Sequence, residues 1–106
     1  MAREQLQTLS EPMYYILLAL QKECCGVDIM KQVEEISHHR LTVGAGTLYA
    51  LLDKFLKAGL IRETKVEGRK RSYIITEVGR EMLKKEYQRL LTMINDGEAM
   101  GMRRGE

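Results

Sequence analysis

The stretch that most constrains this chain is residues 43–61, VGAGTLYALLDKFLKAGLI, which carries a helix with its start and stop attached. Leu48, Leu51, Leu52, Phe55 and Leu56 recur at helical spacing and form one apolar face. Gly59 after Ala58 is the expected left-handed stop, with Leu60 folding back onto the last turn. Thr42 is the expected N-cap. The opposite face holds Gly46, Ala50, Asp53 and Lys57, flanked by Thr47, Tyr49 and Lys54. Its first turn, Gly44-Ala45-Gly46, is almost bare. A glycine inside a helix costs about 1 kcal/mol relative to alanine. Two in three positions need a reason: close approach of a backbone or a nucleic acid, or only the shape of the turn into the helix.

The preceding residues supply partners for that helix. Residues 1–9 (MAREQLQTL) show no sustained period and are expected to be a loose lead-in. Ser10-Glu11-Pro12 is a helix start, and the helix is expected to run to about residue 23. Met13, Ile16, Leu17 and Leu20 make one face, while Tyr14, Tyr15, Leu18 and Ala19 fill the rest. A helix apolar nearly all round is buried on more than one side. In a chain of 106 residues, one side is expected on its own core and another on a second subunit. A second helix is expected over 27–37, with Ile29, Met30, Val33 and Ile36 inward. His38-His39-Arg40 forms a short polar connection to the central helix, which is the helix-turn-helix arrangement.

Beyond Gly59 the period changes. Residues 61–66 alternate weakly, Glu67-Gly68-Arg69-Lys70 supplies a turn, and 71–75 are rich in aromatic and β-branched residues, so a hairpin is expected. Residues 62–71 hold five cations against two carboxylates, a local charge of +3, while the whole chain is +2. Arg69, Lys70 and Arg71 at the tip suit phosphate contact or entry into a minor groove. Thr76-Glu77 opens a last helix expected over 77–95. Its Leu83, Tyr87, Leu90 and Ile94 step by 4, 3 and 4, a heptad seam that Leu91 widens. That seam needs a partner, most simply its own copy. Residues 96–106 are expected to be a frayed tail.

The sequence also argues against several classes. The longest apolar run, residues 13–20, is too short to span a bilayer. The N-terminus lacks a signal-peptide pattern, so a cytoplasmic protein is expected. Cys24-Cys25 and His38-His39 lack zinc-site spacing, so no metal or cofactor is expected. No nucleophile elbow, phosphate loop or metal-ligand cluster points to an enzyme.

The order helix, helix, helix, hairpin, long helix carries a family resemblance over residues 10–95. Its motifs are the ILLAL run at 16–20, Gly26-Val27-Asp28-Ile29, Gly46-Thr47-Leu48-Tyr49, Gly59-Leu60-Ile61, the basic hairpin, and Tyr73 leading into Ile75-Thr76-Glu77-Val78-Gly79. With these the chain resembles the PadR family of bacterial transcriptional regulators, in its short form. Where the family usually has Tyr, this chain has Val27. The resemblance implies a mainly α, winged helix-turn-helix fold (α+β): a DNA-binding domain over 1–76, a dimerisation helix over 77–95 and a tail over 96–106. It implies a homodimeric repressor on a pseudo-palindromic operator in double-stranded DNA, released by a small hydrophobic or phenolic inducer. The expected DNA-facing residues are Thr42, Gly44, Ala45, Gly46, Thr47, Tyr49, Lys54, Arg69, Lys70 and Arg71. The expected dimer interface is Tyr14, Leu18, Leu83, Tyr87, Leu90, Leu91 and Ile94. The alternative is a winged helix used only for protein–protein assembly, which would not need three cations at the hairpin tip.

Overall fold

Ser10 caps the first helix, α1 (Glu11–Ala19): its Oγ accepts from the Met13 N–H at 3.4 Å, and Pro12 stands in the first turn. The computed structural model describes residues 8–103 and 105; residues 1–7 of the lead-in expected over 1–9, and positions 104 and 106, lie outside the described residues, while Leu9 is not loose but buried in the core. The helix stops at Ala19, four residues short of the expected end near 23. The reason is a competing partner. The Leu20 carbonyl accepts from the Ile75 N–H at 2.8 Å, which draws the chain out of the helix and toward a sheet. Cys24–Cys25 then form a short strand, β1, paired with Tyr73 and Ser72.

Helix α2 (Gly26–Ile36) turns Ile29 and Val33 inward. The chain reverses through Ser37, whose buried Oγ accepts from the Leu41 N–H at 3.1 Å. His38 and His39 follow with φ of 56° and 62°, a left-handed pair that L-residues adopt sparingly. Helix α3 (Ala45–Lys57) starts later than expected. Its N-cap is Gly44 rather than Thr42, and no side chain caps it. Val43 is buried in the core, so Thr42 belongs to the extended approach instead. Leu48, Leu52 and Phe55 make the buried face, whereas Leu56 lies at its exposed edge. Gly59 ends the helix at φ 76°, with Gly59 N–H on the Leu56 carbonyl (3.1 Å) and Leu60 N–H on that of Phe55 (2.9 Å). This is the stop expected from the Ala58-Gly59-Leu60 sequence.

Strands β2 (Ile61–Glu67) and β3 (Lys70–Ile75) form the hairpin, and the antiparallel sheet runs β1-β3-β2. Gly68-Arg69 is a two-residue turn with Gly68 at φ 64°. Glycine first with only that residue at positive φ fits a type II′ hairpin turn. The register shifts between Glu63 and Lys65, so Thr64 is a bulge. Thr64 is held from outside the hairpin, donating its hydroxyl to Glu23 at 2.6 Å.

Helix α4 (Glu77–Ala99) is capped by Thr76, whose Oγ1 accepts from the Gly79 N–H at 3.1 Å and donates to the Gly59 carbonyl at 2.6 Å. One hydroxyl thus joins the end of α3 to the start of α4. Twenty-three residues at 1.5 Å each give a rod of about 34 Å. The helix passes the expected end at Asn95 because Gly97 keeps a helical backbone. The stop is Gly101 at φ 107°, with Met102 N–H returning to the Gly97 carbonyl at 3.0 Å.

One core joins all four helices and the sheet: Ile16, Leu17 and Leu20 of α1 and its cap, Ile29, Leu48, Phe55, Ile75 and Leu83. Against it lies Glu86, a carboxylate only 4% exposed, ion-paired with Arg89. The Arg89 hydrogen bond, helped by one from the Leu9 backbone, holds its carboxyl below the ordinary value. A depressed carboxylate stabilises the fold above its unfolded value of about 4.3 and loses that stabilisation as pH falls through the folded value. The stability gap between wild type and Glu86→Gln is therefore expected to be widest at neutral pH and to shrink as pH falls below the unfolded value toward the lower folded one. Chemical denaturation at a series of pH values checks this, and a gap independent of pH would contradict it.

Candidate nucleic-acid interface

The buried stripe of α3 leaves Gly46, Thr47, Ala50, Asp53, Lys54 and Lys57 on the outside. Asp53 and Lys57 pair with each other at 3.0 Å, whereas Lys54 makes no ion pair among the described residues. The first turn is electropositive. It has no acidic residue and no capping side chain, so the N–H groups of Ala45, Gly46 and Thr47 face outward with the positive end of the helix dipole. Gly46 has a helical backbone, and a Cβ added there meets nothing within 4 Å. Nothing inside the chain requires this glycine.

Tyr49 is 48% exposed and leans sideways. Its hydroxyl sits over Gly26 at the start of α2, so closely that a Cβ at Gly26 would collide with it and lie 2.9 Å from Cζ. On its other side the ring faces the hairpin. Tyr49, Arg69 and Arg71 line two adjoining clefts of about 370 and 410 Å³ between α3 and the hairpin. Gly26 was not among the expected site residues. Its signal in the sequence is only a glycine opening a helix, and the contact is made with a residue 23 positions away.

The hairpin cations divide by role. Arg69 occupies the turn and Lys70 opens β3; neither makes an ion pair among the described residues. Arg71 is committed across the strands to Glu63 at 3.1 Å. Thr42, Gly44 and Ala45 lie exposed at the entry to α3. The geometry therefore gathers Tyr49, Arg69, Lys70 and Arg71 around one cleft, and leaves Thr42, Gly44, Ala45, Gly46, Thr47 and Lys54 exposed at the entry to α3 and along it.

Of the two cysteines, Cys25 lines the smaller cleft. Burial, followed by Asp28, pushes the Cys24 thiol up to about 11, so it stays protonated and slow to react at neutral pH. Cys25 Sγ donates to Asp28 at 3.3 Å. Among the described residues no three His, Cys, Asp or Glu stand close enough to hold a metal. No helix among them is long and apolar enough to cross a membrane.

The α4 residues expected to face a partner separate into two groups. Leu83 is 7% exposed and already belongs to the chain's own core. Tyr87 and Ile94 are about half exposed, at 53% and 48%, with Leu90 and Leu91 partly covered beside them. Tyr14 and Leu18 of α1 line a groove of about 320 Å³ with Leu83 and Tyr87, rimmed by Arg80 and Lys84.

Three helices, a two-stranded wing with a short third strand, and a long terminal helix define a winged helix-turn-helix protein. The Transcriptional regulator PadR-like family matches residues 16–85. The chain belongs to that family, whose members are transcription regulators and not enzymes. A transcriptional regulator from Clostridium thermocellum has the same fold, with a TM-score of 0.72 at 18% identity over 87% of this chain and 93% of that one. Bordetella bronchiseptica BpsR, described by the regulation of its DNA binding by 6-hydroxynicotinic acid, superposes with a TM-score of 0.66 at 18% identity, covering 91% of this chain and 64% of that one. In sequence, the chain is 38% identical over 61 residues to an uncharacterized 37.1 kDa protein in transposon TN4556 of Streptomyces fradiae. That alignment covers 58% of this chain and 17% of the relative's length.

Proposed function

We propose that this chain binds double-stranded DNA as a homodimeric transcriptional repressor, with α3 in the major groove and the hairpin against the adjacent backbone or minor groove. The observation that carries this reading is the outer face of α3. It keeps a helix-weakening glycine that nothing among the described residues requires, beside free N–H groups and Lys54, which makes no ion pair among the described residues. Small side chains there let the helix approach base edges closely. Arg69 and Lys70 add phosphate contacts that position the protein without reading sequence. With so few long polar side chains on α3, part of the specificity rests on DNA shape.

Tyr87, Leu90, Leu91 and Ile94 on a helix of this length support pairing with a second copy. A two-fold dimer places two α3 helices on a pseudo-palindromic operator with half-sites about 34–36 Å apart. The groove between α1 and α4 would take the inducer. Its walls are aromatic and aliphatic and its rim is cationic, which suits a small phenolic or hydroxy-aromatic acid. Burial, reinforced by Tyr87, raises the Tyr14 phenol, which keeps it a neutral hydrogen-bond donor there. BpsR, similar in fold, offers a parallel, since its DNA binding is regulated by 6-hydroxynicotinic acid.

The test is a salt titration of DNA binding followed by fluorescence anisotropy. Replacing Arg69 and Lys70 together by Ala is expected to weaken binding to all sequences. It should reduce the slope of log K against log salt by about 1.8 per protomer. An unchanged slope would remove the hairpin from the interface.

A further inference from the structure

We propose that Glu63 is a positioning residue for DNA binding, holding Arg71 aimed into the groove between α3 and the hairpin; this rests on the DNA-binding reading above. The pairing depends on the bulge. Glu63 opposes Tyr73 in the register, and Arg71 lies two residues from Tyr73, so all three share the face turned toward α3. An unbroken ladder would set Lys65 opposite Arg71. The extra residue, Thr64, sets Val66 there and moves Lys65 to the far face. The carboxylate that pairs with Arg71 there is Glu63, at 3.1 Å and one-third exposed, while Glu67 and Asp53 line the clefts without an ion pair to Arg71 among the described residues. Glu63 thus holds the guanidinium where it lines both clefts flanking Tyr49. Arg71 has more than one N–H to give. One serves Glu63, and the others make no hydrogen bond among the described residues, which leaves them for a phosphate entering the clefts.

A carboxylate near a DNA surface has two opposite effects. As a charge it repels phosphate, so its removal tightens binding. As a positioning group it fixes the cation, so its removal weakens binding. Glu63→Ala removes charge and acceptor together. Glu63→Gln removes the charge and keeps an oxygen that accepts from Arg71.

The experiment measures affinity for a labelled duplex of arbitrary sequence at low salt, for wild type, Glu63→Ala, Glu63→Gln, and both changes in an Arg71→Ala background. Melting curves verify that each variant is folded. Positioning predicts that Glu63→Ala binds about three- to tenfold more weakly, the net worth of one hydrogen bond. Glu63→Gln is expected to bind at least as tightly as wild type, and without Arg71 neither change should weaken binding. If Glu63→Ala and Glu63→Gln tighten binding alike, Glu63 acts only as a repelling charge and the proposal fails while the DNA-binding reading stands. If wild type fails to bind the duplex, both fail together.

Discussion

The Gly79→Ala variant is expected to melt about 10–20 °C below the wild type, from a loss of about 3 kcal/mol. Gly79 sits in the first turn of α4 where three chain segments meet. A Cβ there would collide with the Leu60 carbonyl oxygen and stand 2.7 Å from Ile75 Cγ1. Neither neighbour can yield cheaply. The Leu60 carbonyl accepts from the Thr76 N–H at 2.9 Å, and Leu60 itself closes the end of α3. Ile75 is bound through its N–H to the Leu20 carbonyl and is buried in the core. To make room, α4 would have to lift off the winged domain and loosen the Thr76 cap with it. Thermal unfolding followed by circular dichroism checks this; an unchanged melting point would show that α4 is not clamped at its first turn.

Gly46→Ala is expected to move stability and function in opposite directions. Alanine at an exposed helical position without internal contacts stabilises by about 0.4–1 kcal/mol. The same methyl group, standing on the face meant for DNA, is expected to lower affinity about tenfold or more. A variant that is more stable and binds less well cannot be explained by damage to the fold. If it binds as tightly as wild type, Gly46 only shapes the entry into α3, and the close approach to DNA lies elsewhere on the helix. The pairing of Gly79 and Gly46 is instructive: one glycine is required by the chain's own backbone, whereas a Cβ at the other meets nothing among the described residues.

Much of the fold was legible because the relevant signals are local. The stop of α3 needs only Ala58-Gly59-Leu60, the hairpin needs a glycine between two extended runs, and Ser10 and Thr76 announce their helices by cap chemistry. What was not legible depends on contacts between distant residues. The end of α1 is set by Ile75 taking the Leu20 carbonyl, and Cys24–Cys25 become a strand only because β3 has a free edge. Thr42 is a good capping residue, but the buried Val43 draws the approach straight and leaves the cap to Gly44. At Asn95 a turn-forming run gave a plausible stop that Gly97 did not require.

The site divides in the same way. The bare face of α3 and the cations of the hairpin stand in the sequence as a pattern of residue types. The commitment of Arg71 to Glu63 does not, because it follows from a bulge at Thr64 that shifts the face of every later residue in β2. The seating of Tyr49 on Gly26 likewise needs α2 and α3 to be packed. Leu83 belongs to the heptad period of α4, yet the core claims it first, leaving Tyr87, Leu90, Leu91 and Ile94 as the candidates to meet a second copy.

DNA binding by α3 and the hairpin is what the proposed function rests on. Its most direct test is binding of the wild-type chain to labelled DNA from immediately upstream of its own gene, measured by anisotropy at two salt concentrations with excess unrelated competitor. Tight binding that falls steeply with salt and survives the competitor is expected. No binding even at low salt would contradict it, and the cationic hairpin beside a bare helix would then serve protein–protein assembly.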